Sequence, residues 1–148
     1  MTETMDFTPE QKRLAEETLA CGQYSLVVLS ADGSMHTFRQ KGVRDLRELL
    51  ASGGLLRGAF VADRAVGKGA AALMILAGVK EVYTYVASAP AVEFLSRHGV
   101  KTTCMRTVPY IENRTADGMC PVEERCLRLE TPEECLVQID EFLTLTGK

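Results

Sequence analysis

The middle of the chain repeats one pattern, in which a helical segment ends at a glycine and a strand follows at once. Ala77-Gly78-Val79-Lys80 and His98-Gly99-Val100-Lys101 are the two copies. Together with an apolar segment before them, they predict alternating strands and helices across residues 55–108. Strands connected in this way pair in parallel through right-handed crossovers, so this region predicts an α/β fold. The predicted strands are 55–61, 81–86 and 101–108, and the predicted helices are 67–77 and 88–97.

The flanking segments predict the remaining elements of one domain over residues 1–148. Thr8-Pro9-Glu10-Gln11 and Thr131-Pro132-Glu133-Glu134 each carry the residues of a helix-capping box. Ala31-Asp32-Gly33-Ser34 is a turn between two strand-like segments, which predicts a hairpin. These flanks supply helices over 8–21, 42–50 and 131–146, and strands over 24–30 and 35–40. The sequence therefore predicts a three-layer α/β/α domain on a mixed five-stranded sheet.

Charge and hydropathy exclude several classes of partner. The net charge is −3, and no basic stripe is present, so we expect no nucleic-acid partner. The longest apolar run, 69–79, is too short to span a bilayer, and we expect no membrane partner. Residues 1–6 are acidic and lack a signal-peptide core, which favours a cytoplasmic protein. Self-association into a homo-oligomer stays open.

The five cysteines give an odd count and form no Cys-x-x-Cys motif. In a cytosolic chain of this size they favour free thiols over a disulfide framework. A zinc site built from Cys120, Cys126 and Cys135 is the alternative, but their spacing matches no common zinc motif. We therefore expect no metal and no cofactor.

Gly67-Lys68-Gly69 joins the end of a predicted strand to the start of a predicted helix. Glycines allow backbone to approach a ligand closely, and a helix start offers free N–H groups to an anion. Lys68 adds a positive charge at the same point. The alternative is that Gly67 makes the turn, Gly69 allows close packing and Lys68 is solvated. The segment is not a P-loop, because Ala62 and Gly69 replace residues that this motif requires.

Ligands of open α/β sheets bind beyond the carboxyl ends of parallel strands. Asp63 and Arg64 follow the first predicted parallel strand. Asp63 is a candidate general base or ligand acceptor, or else the ion-pair partner of Arg64 or Lys68. Ser88 follows the next strand, where it is a candidate helix cap as well as a ligand contact.

Residues 107–124 lack clear periodicity, and a loop of that length in a small domain is usually functional or mobile. Asn113 and Arg114 carry turn chemistry, and the guanidinium of Arg114 also suits an anionic ligand. Cys120 precedes a short helix that carries Glu123. Cys120 is a candidate nucleophile or a packed thiol, and Glu123 is a candidate catalytic carboxylate. We expect this loop to lie over the site.

The chain resembles a family of small bacterial proteins of unknown function that have a cytidine-deaminase-like fold. The resemblance rests on segments that cover most of the domain, namely 63–72, Gly78-Val79-Lys80-Glu81-Val82-Tyr83, Val108-Pro109-Tyr110-Ile111, Asn113-Arg114 and Cys120-Pro121-Val122-Glu123. It implies the deaminase-like arrangement of elements. It does not imply deaminase chemistry, because the His-x-Glu and Pro-Cys-x-x-Cys motifs are missing. Lys68 would then stand where the metal-binding cysteines usually lie.

Three hypotheses follow. The first is a zinc-free cleft that binds a small anionic ligand, with nucleotides among the candidates. The second is a non-catalytic module that senses a ligand or a partner. The third is a self-associating interaction scaffold with a vestigial cleft. In the third, the loop closes the cleft, and Met105, Tyr110 and Met119 are core or interface residues.

Overall fold

The computed structural model describes residues 7–40, 42–113 and 115–146, and their centre is a five-stranded sheet of order β2-β1-β3-β4-β5. The strands are β1 (Leu26–Leu29), β2 (Met35–Phe38), β3 (Phe60–Val66), β4 (Glu81–Ser88) and β5 (Lys101–Val108). β1 runs antiparallel to both β2 and β3. β3, β4 and β5 are parallel to one another. The predicted mixed sheet is therefore confirmed.

Six α-helices accompany the sheet in the described ranges. They are α1 (Pro9–Ala20), α2 (Arg44–Ser52), α3 (Lys68–Ala77), α4 (Ala89–Arg97), α5 (Pro121–Cys126) and α6 (Pro132–Thr146). The capping boxes predicted at Thr8 and Thr131 are both formed. Gly78 and Gly99 have φ values of +82° and +77°, so the repeated glycine ends α3 and α4 in the left-handed conformation. None of these helices combines the length and the apolar composition needed to cross a membrane.

The two faces of the sheet carry unequal layers. α1 alone packs on one face, the α1 face, where Leu19 and Phe60 belong to a small buried cluster. Helices α2 to α6 cover the other face, the broad face, over a larger core that includes Leu73, Phe94 and Ile139. Helices on both sides of the sheet confirm the predicted three-layer architecture.

The predicted position of β3 was wrong by about five residues. The apolar segment that begins at Leu55 starts with a 3-10 turn, Gly54–Leu56, and the strand begins only at Phe60. Gly58, at φ +70°, turns the chain between them and donates its N–H to the carbonyl of Gly78. Asp63 and Arg64 consequently lie inside the strand rather than after it. Because side chains alternate along a strand, the two residues point to opposite faces of the sheet.

β5 forms one edge of the sheet and is thinly covered. Among the described strands it pairs only with β4, through seven of its eight residues, and the ladder skips Met105. On the α1 face, Met105 is 65% exposed beside a partly exposed Tyr85. This edge strand is therefore long, mainly uncharged and open to solvent.

Candidate functional site

The start of α3 binds an anionic side chain of the protein itself, the carboxylate of Glu123. Glu123 projects from α5, and one carboxylate oxygen accepts the N–H of Lys68 at 2.6 Å. The other accepts the N–H of Ile111 at 3.2 Å. Glu123 is only 1% exposed. An internal carboxylate therefore occupies the position where we expected an external ligand, and it satisfies the helix terminus.

Gly67 and Gly69 make room for α5. A Cβ atom at Gly67 would lie 2.8 Å from Oε1 of Glu123, and one at Gly69 would lie 2.3 Å from Cγ1 of Val122. Neither glycine has a positive φ, so neither is needed for its backbone conformation. Of the alternatives weighed for these glycines, close packing is the one that the geometry supports.

Lys68 lies under α5 and is only 6% exposed. Its ammonium group donates hydrogen bonds to the carbonyls of Leu127, at 3.1 Å, and Leu129. It also lies 5.0 Å from the centre of the Phe94 ring, within cation–π range. The charge of Lys68 thus stabilises the segment between α5 and α6 and does not face solvent.

Asp63 is partly buried on the broad face, where desolvation raises its pKa to about 7. The nearby negative charge of Asp45, at the start of α2, acts in the same direction. Hydrogen bonds from the backbone N–H groups of Arg64 and Ala65 oppose the shift without cancelling it. Asp45 itself accepts hydrogen bonds from the backbone and side chain of Gln40. Asp45 is therefore a second carboxyl group close enough to influence Asp63, and sequence reasoning missed it.

Arg64 lies on the α1 face. Its guanidinium donates hydrogen bonds to the carbonyls of Leu19 and Tyr24, each at 2.8 Å, and stacks over Tyr85. The side chain therefore ties the end of α1 to the sheet, on the face opposite Asp63.

The other predicted site residues lie apart from one another. The buried hydroxyl of Ser88 caps α4 by accepting the N–H of Ala91. The Asn113 side chain is engaged with Thr115 and Asp117 in a turn. Cys120 precedes α5 with a partly buried thiol. Arg114 lies outside the described residues, as do residues 1–6, which carried the expectation about location.

The buried thiols do not gather a metal site. Cys126 and Cys135 are hydrogen-bonded to each other in the core, which raises the pKa of Cys126 and lowers that of Cys135. No group of three or more His, Cys, Asp or Glu side chains within residues 7–40, 42–113 and 115–146 could hold a metal ion. Cys120, Cys126 and Cys135 do not come together as such a group among these residues.

An open cavity of about 420 Å³ lies where the parallel strands end. Three of its lining residues, Ala65, Val86 and Arg106, sit side by side on β3, β4 and β5. The last residue of β5 and the loop after it form the rest of the wall. We call this cavity the strand-end cleft, and its lining is completed by Val108, Pro109, Tyr110, Ile111 and Glu112.

The strand-end cleft combines an apolar wall with a few polar groups. Arg106 supplies a guanidinium, Tyr110 a phenol and Glu112 a carboxylate. Sequence reasoning predicted the loop but missed Arg106, although its position near the end of a parallel strand was a usable signal. A larger depression of about 540 Å³ lies between α2 and α6. It is less suited to binding a charged ligand, because its main charged side chains, Arg47 and Asp140, already form an ion pair with each other.

Comparison with known proteins identifies the family. A family model described as TM1506, domain of unknown function (DUF1893), matches residues 14–143. The chain belongs to the DUF1893 family. The crystal structure of a DUF1893 protein, TM1506 from Thermotoga maritima, superposes with a TM-score of 0.85 at 22% sequence identity. The match covers 95% of each chain, so the DUF1893 fold extends over nearly the whole molecule. No protein with a curated description matches the chain.

Proposed function

We propose that this DUF1893 protein binds a small anionic molecule in the strand-end cleft, with nucleotides among the candidate ligands. The observation that carries the proposal is the cavity of about 420 Å³ that Arg106 lines beside apolar residues. Ligand pockets typically have volumes of about 300–1,000 Å³ and few polar groups. The cleft also lies at the carboxyl ends of parallel strands, where α/β sheets bind ligands.

Arg106 replaces Lys68 and Arg114 as the principal anion-binding group of this proposal. Its guanidinium can donate two parallel hydrogen bonds to a carboxylate or phosphate. Asp63 on β3 does not line the cleft, but a carboxyl group with a pKa of about 7 can accept or donate a proton near neutral pH. If the protein is an enzyme, Asp63 is its general acid or base.

We also propose that the fold is cytidine-deaminase-like and that the protein works in the cytoplasm without zinc. The sheet order and the antiparallel β1 support this kinship. Zinc does not fit, because the starts of α2 and α3 present Asp45 and Lys68 rather than imidazole or thiolate ligands.

Thermal-shift and calorimetric titrations test the proposal with phosphate, nucleoside mono-, di- and triphosphates and small dicarboxylates. A ligand present at about 100 times its Kd should stabilise the fold by about 2.7 kcal/mol. Arg106→Gln should weaken binding at least tenfold, which is about 1.4 kcal/mol. Arg128→Gln, which changes an exposed arginine outside the cleft, should leave the affinity unchanged. Equal affinities of both variants for every ligand, or no binding at all, would refute the proposal.

A second candidate function is a non-catalytic regulatory or protein-interaction module with a vestigial cleft. It is favoured by Glu123 and Val122, which fill the space around Gly67 and Gly69 from within. A sensing module should bind a ligand from the panel and leave it chemically unchanged after prolonged incubation. An interaction scaffold should bind none of them.

A further inference from the structure

The strand-end cleft is lined by two side chains of opposite charge that do not pair with each other. Arg106 lies on β5 and Glu112 in the loop after it, and both line the same cavity of about 420 Å³. Within residues 7–40, 42–113 and 115–146, neither the guanidinium nor the carboxylate takes part in an ion pair or a hydrogen bond. Both residues are exposed, so a dissolved molecule can reach them.

This arrangement differs from that of the depression between α2 and α6, where Arg47 and Asp140 neutralise each other through an ion pair. Opposite charges that share a cavity without pairing leave room between them. A ligand that carries the complementary charges can satisfy both groups at once, and such complementarity gives specificity. The cleft is therefore matched to a ligand with a negative and a positive group.

The capacity of the cleft for negative charge is small. Among the described residues that line it, Arg106 is the basic one. The nearby helix starts add little, because Glu123 occupies the start of α3 and the Ser88 hydroxyl caps α4. A polyphosphate would bring several negative charges close to the carboxylate of Glu112, which repels them. The ligand should therefore carry a single anionic group.

The rest of the lining is mainly apolar. Val86, Val108, Pro109 and Ile111 contribute hydrocarbon surface, and Tyr110, at 38% exposure, adds an aromatic ring. Covering apolar surface releases about 25 cal/mol per Å². The body of the ligand should therefore be apolar, with its charges confined to one part of the molecule.

We propose that the strand-end cleft binds a small zwitterion with an apolar body, namely an α-amino acid with an apolar side chain. Arg106 donates two parallel hydrogen bonds to its carboxylate, and Glu112 accepts hydrogen bonds from its ammonium group. The apolar lining packs against its side chain. This inference rests on the proposed function, because the carboxylate is the anionic group that Arg106 would bind. It adds the requirement that the ligand also carries a positive charge.

Matched probes separate the contributions of the two charges. Phenylalanine carries both groups, 3-phenylpropanoate lacks the ammonium group, and 2-phenylethylamine lacks the carboxylate. Leucine and 4-methylpentanoate form a second pair with an aliphatic body. In calorimetric titrations near neutral pH, phenylalanine or leucine should bind at least tenfold more tightly than its analogues.

Two variants of the cleft assign each contact. Glu112→Gln should weaken the binding of the amino acid at least tenfold, while the analogue that lacks the ammonium group should bind equally well or more tightly, because a repelling charge is removed. Arg106→Gln should weaken the binding of both. Glu133→Gln, at an exposed position on α6, is the matched control for Glu112→Gln and should change neither affinity. Thermal unfolding without ligand verifies that all three variants are folded.

The outcomes distinguish this inference from the proposed function. If anionic ligands bind through Arg106 and the amino acids bind no more tightly than their analogues, the zwitterion is refuted and the proposed function stands. A preference for the amino acid that survives Glu112→Gln would also refute the inference. Absence of binding by every probe and every anionic ligand would refute both.

Discussion

At the scale of single residues, Asp63 is a carboxyl group whose surroundings disfavour its charged form. Burial and Asp45 raise its pKa from 3.8 to about 7. Since the folded state binds this proton more tightly than the unfolded state, the group favours folding most at low pH. Its contribution falls as the pH rises from about 4 to 7 and is constant above that range. At about 1.4 kcal/mol per pKa unit, the change is at most about 4 kcal/mol.

Asp63→Asn should remove this pH dependence. The amide carries no charge, and its oxygen can still accept the N–H of Arg64. We expect the variant to be more stable than the wild type at pH 8 and to differ less from it at pH 5. Urea unfolding at several pH values measures this difference. Glu17→Gln, at an exposed position on α1, should leave the wild-type profile unchanged. An Asp63→Asn profile parallel to that of the wild type would contradict the assigned pKa.

Glu123 is a second carboxylate with a defined role, because it accepts two backbone N–H groups in the core. Glu123→Gln removes the charge and weakens these charge-assisted bonds, which should cost about 1–3 kcal/mol of stability. The adjacent and exposed Glu124→Gln is the control and should change stability by less than about 0.5 kcal/mol. Chemical denaturation compares the two variants. Equal effects would show that the Glu123 contacts contribute little.

At the scale of elements, the close approach of α3 and α5 determines which residues can replace Gly69. Gly→Ala inside a helix normally stabilises it by about 1 kcal/mol. Here the added Cβ would lie 2.3 Å from Val122, so α5 would have to shift. Gly69→Ala should therefore destabilise the fold by about 1–3 kcal/mol.

Three further variants isolate this contact. Gly54→Ala meets no atom within 4 Å and should be nearly neutral. Val122→Ala removes the clashing methyl groups, so its combination with Gly69→Ala should cost less than the sum of the two single changes. Thermal unfolding of the four variants supplies the data. An additive result would mean that Gly69 and Val122 do not compete for space.

Local sequence patterns predicted the ends of some elements correctly and those of others wrongly. The capping boxes at Thr8 and Thr131 and the glycines at 78 and 99 define helix ends through contacts only a few residues apart. β3 was misplaced because apolar Leu55 and Leu56 look like strand residues, whereas pairing with β1 and β4 begins only at Phe60. Strand limits depend on partners elsewhere in the chain, which a local pattern does not contain.

At the scale of the whole molecule, the order of elements was predictable and the chemistry of the site was not. The five strands and the three layers follow from periodicity and turn residues, which every segment carries in itself. The contact between Lys68 and Glu123 joins residues 55 positions apart. Both residues were named from the sequence, but Lys68 as a ligand-binding residue and Glu123 as a candidate catalytic carboxylate. Arg106 was missed because the cleft exists only after β3, β4 and β5 align.

Glu123 also has a consequence for how the start of α3 responds to dissolved ions. The carboxylate is tethered to that helix start, so it acts as an intramolecular competitor at a high effective concentration. Even a short flexible tether gives an effective concentration in the millimolar range, and the packed α5 is more restrained than such a tether. Phosphate or carboxylate metabolites at micromolar levels would not displace it. Glu123 thus blocks the binding of dissolved anions at the start of α3, where the sequence predicts an anion site.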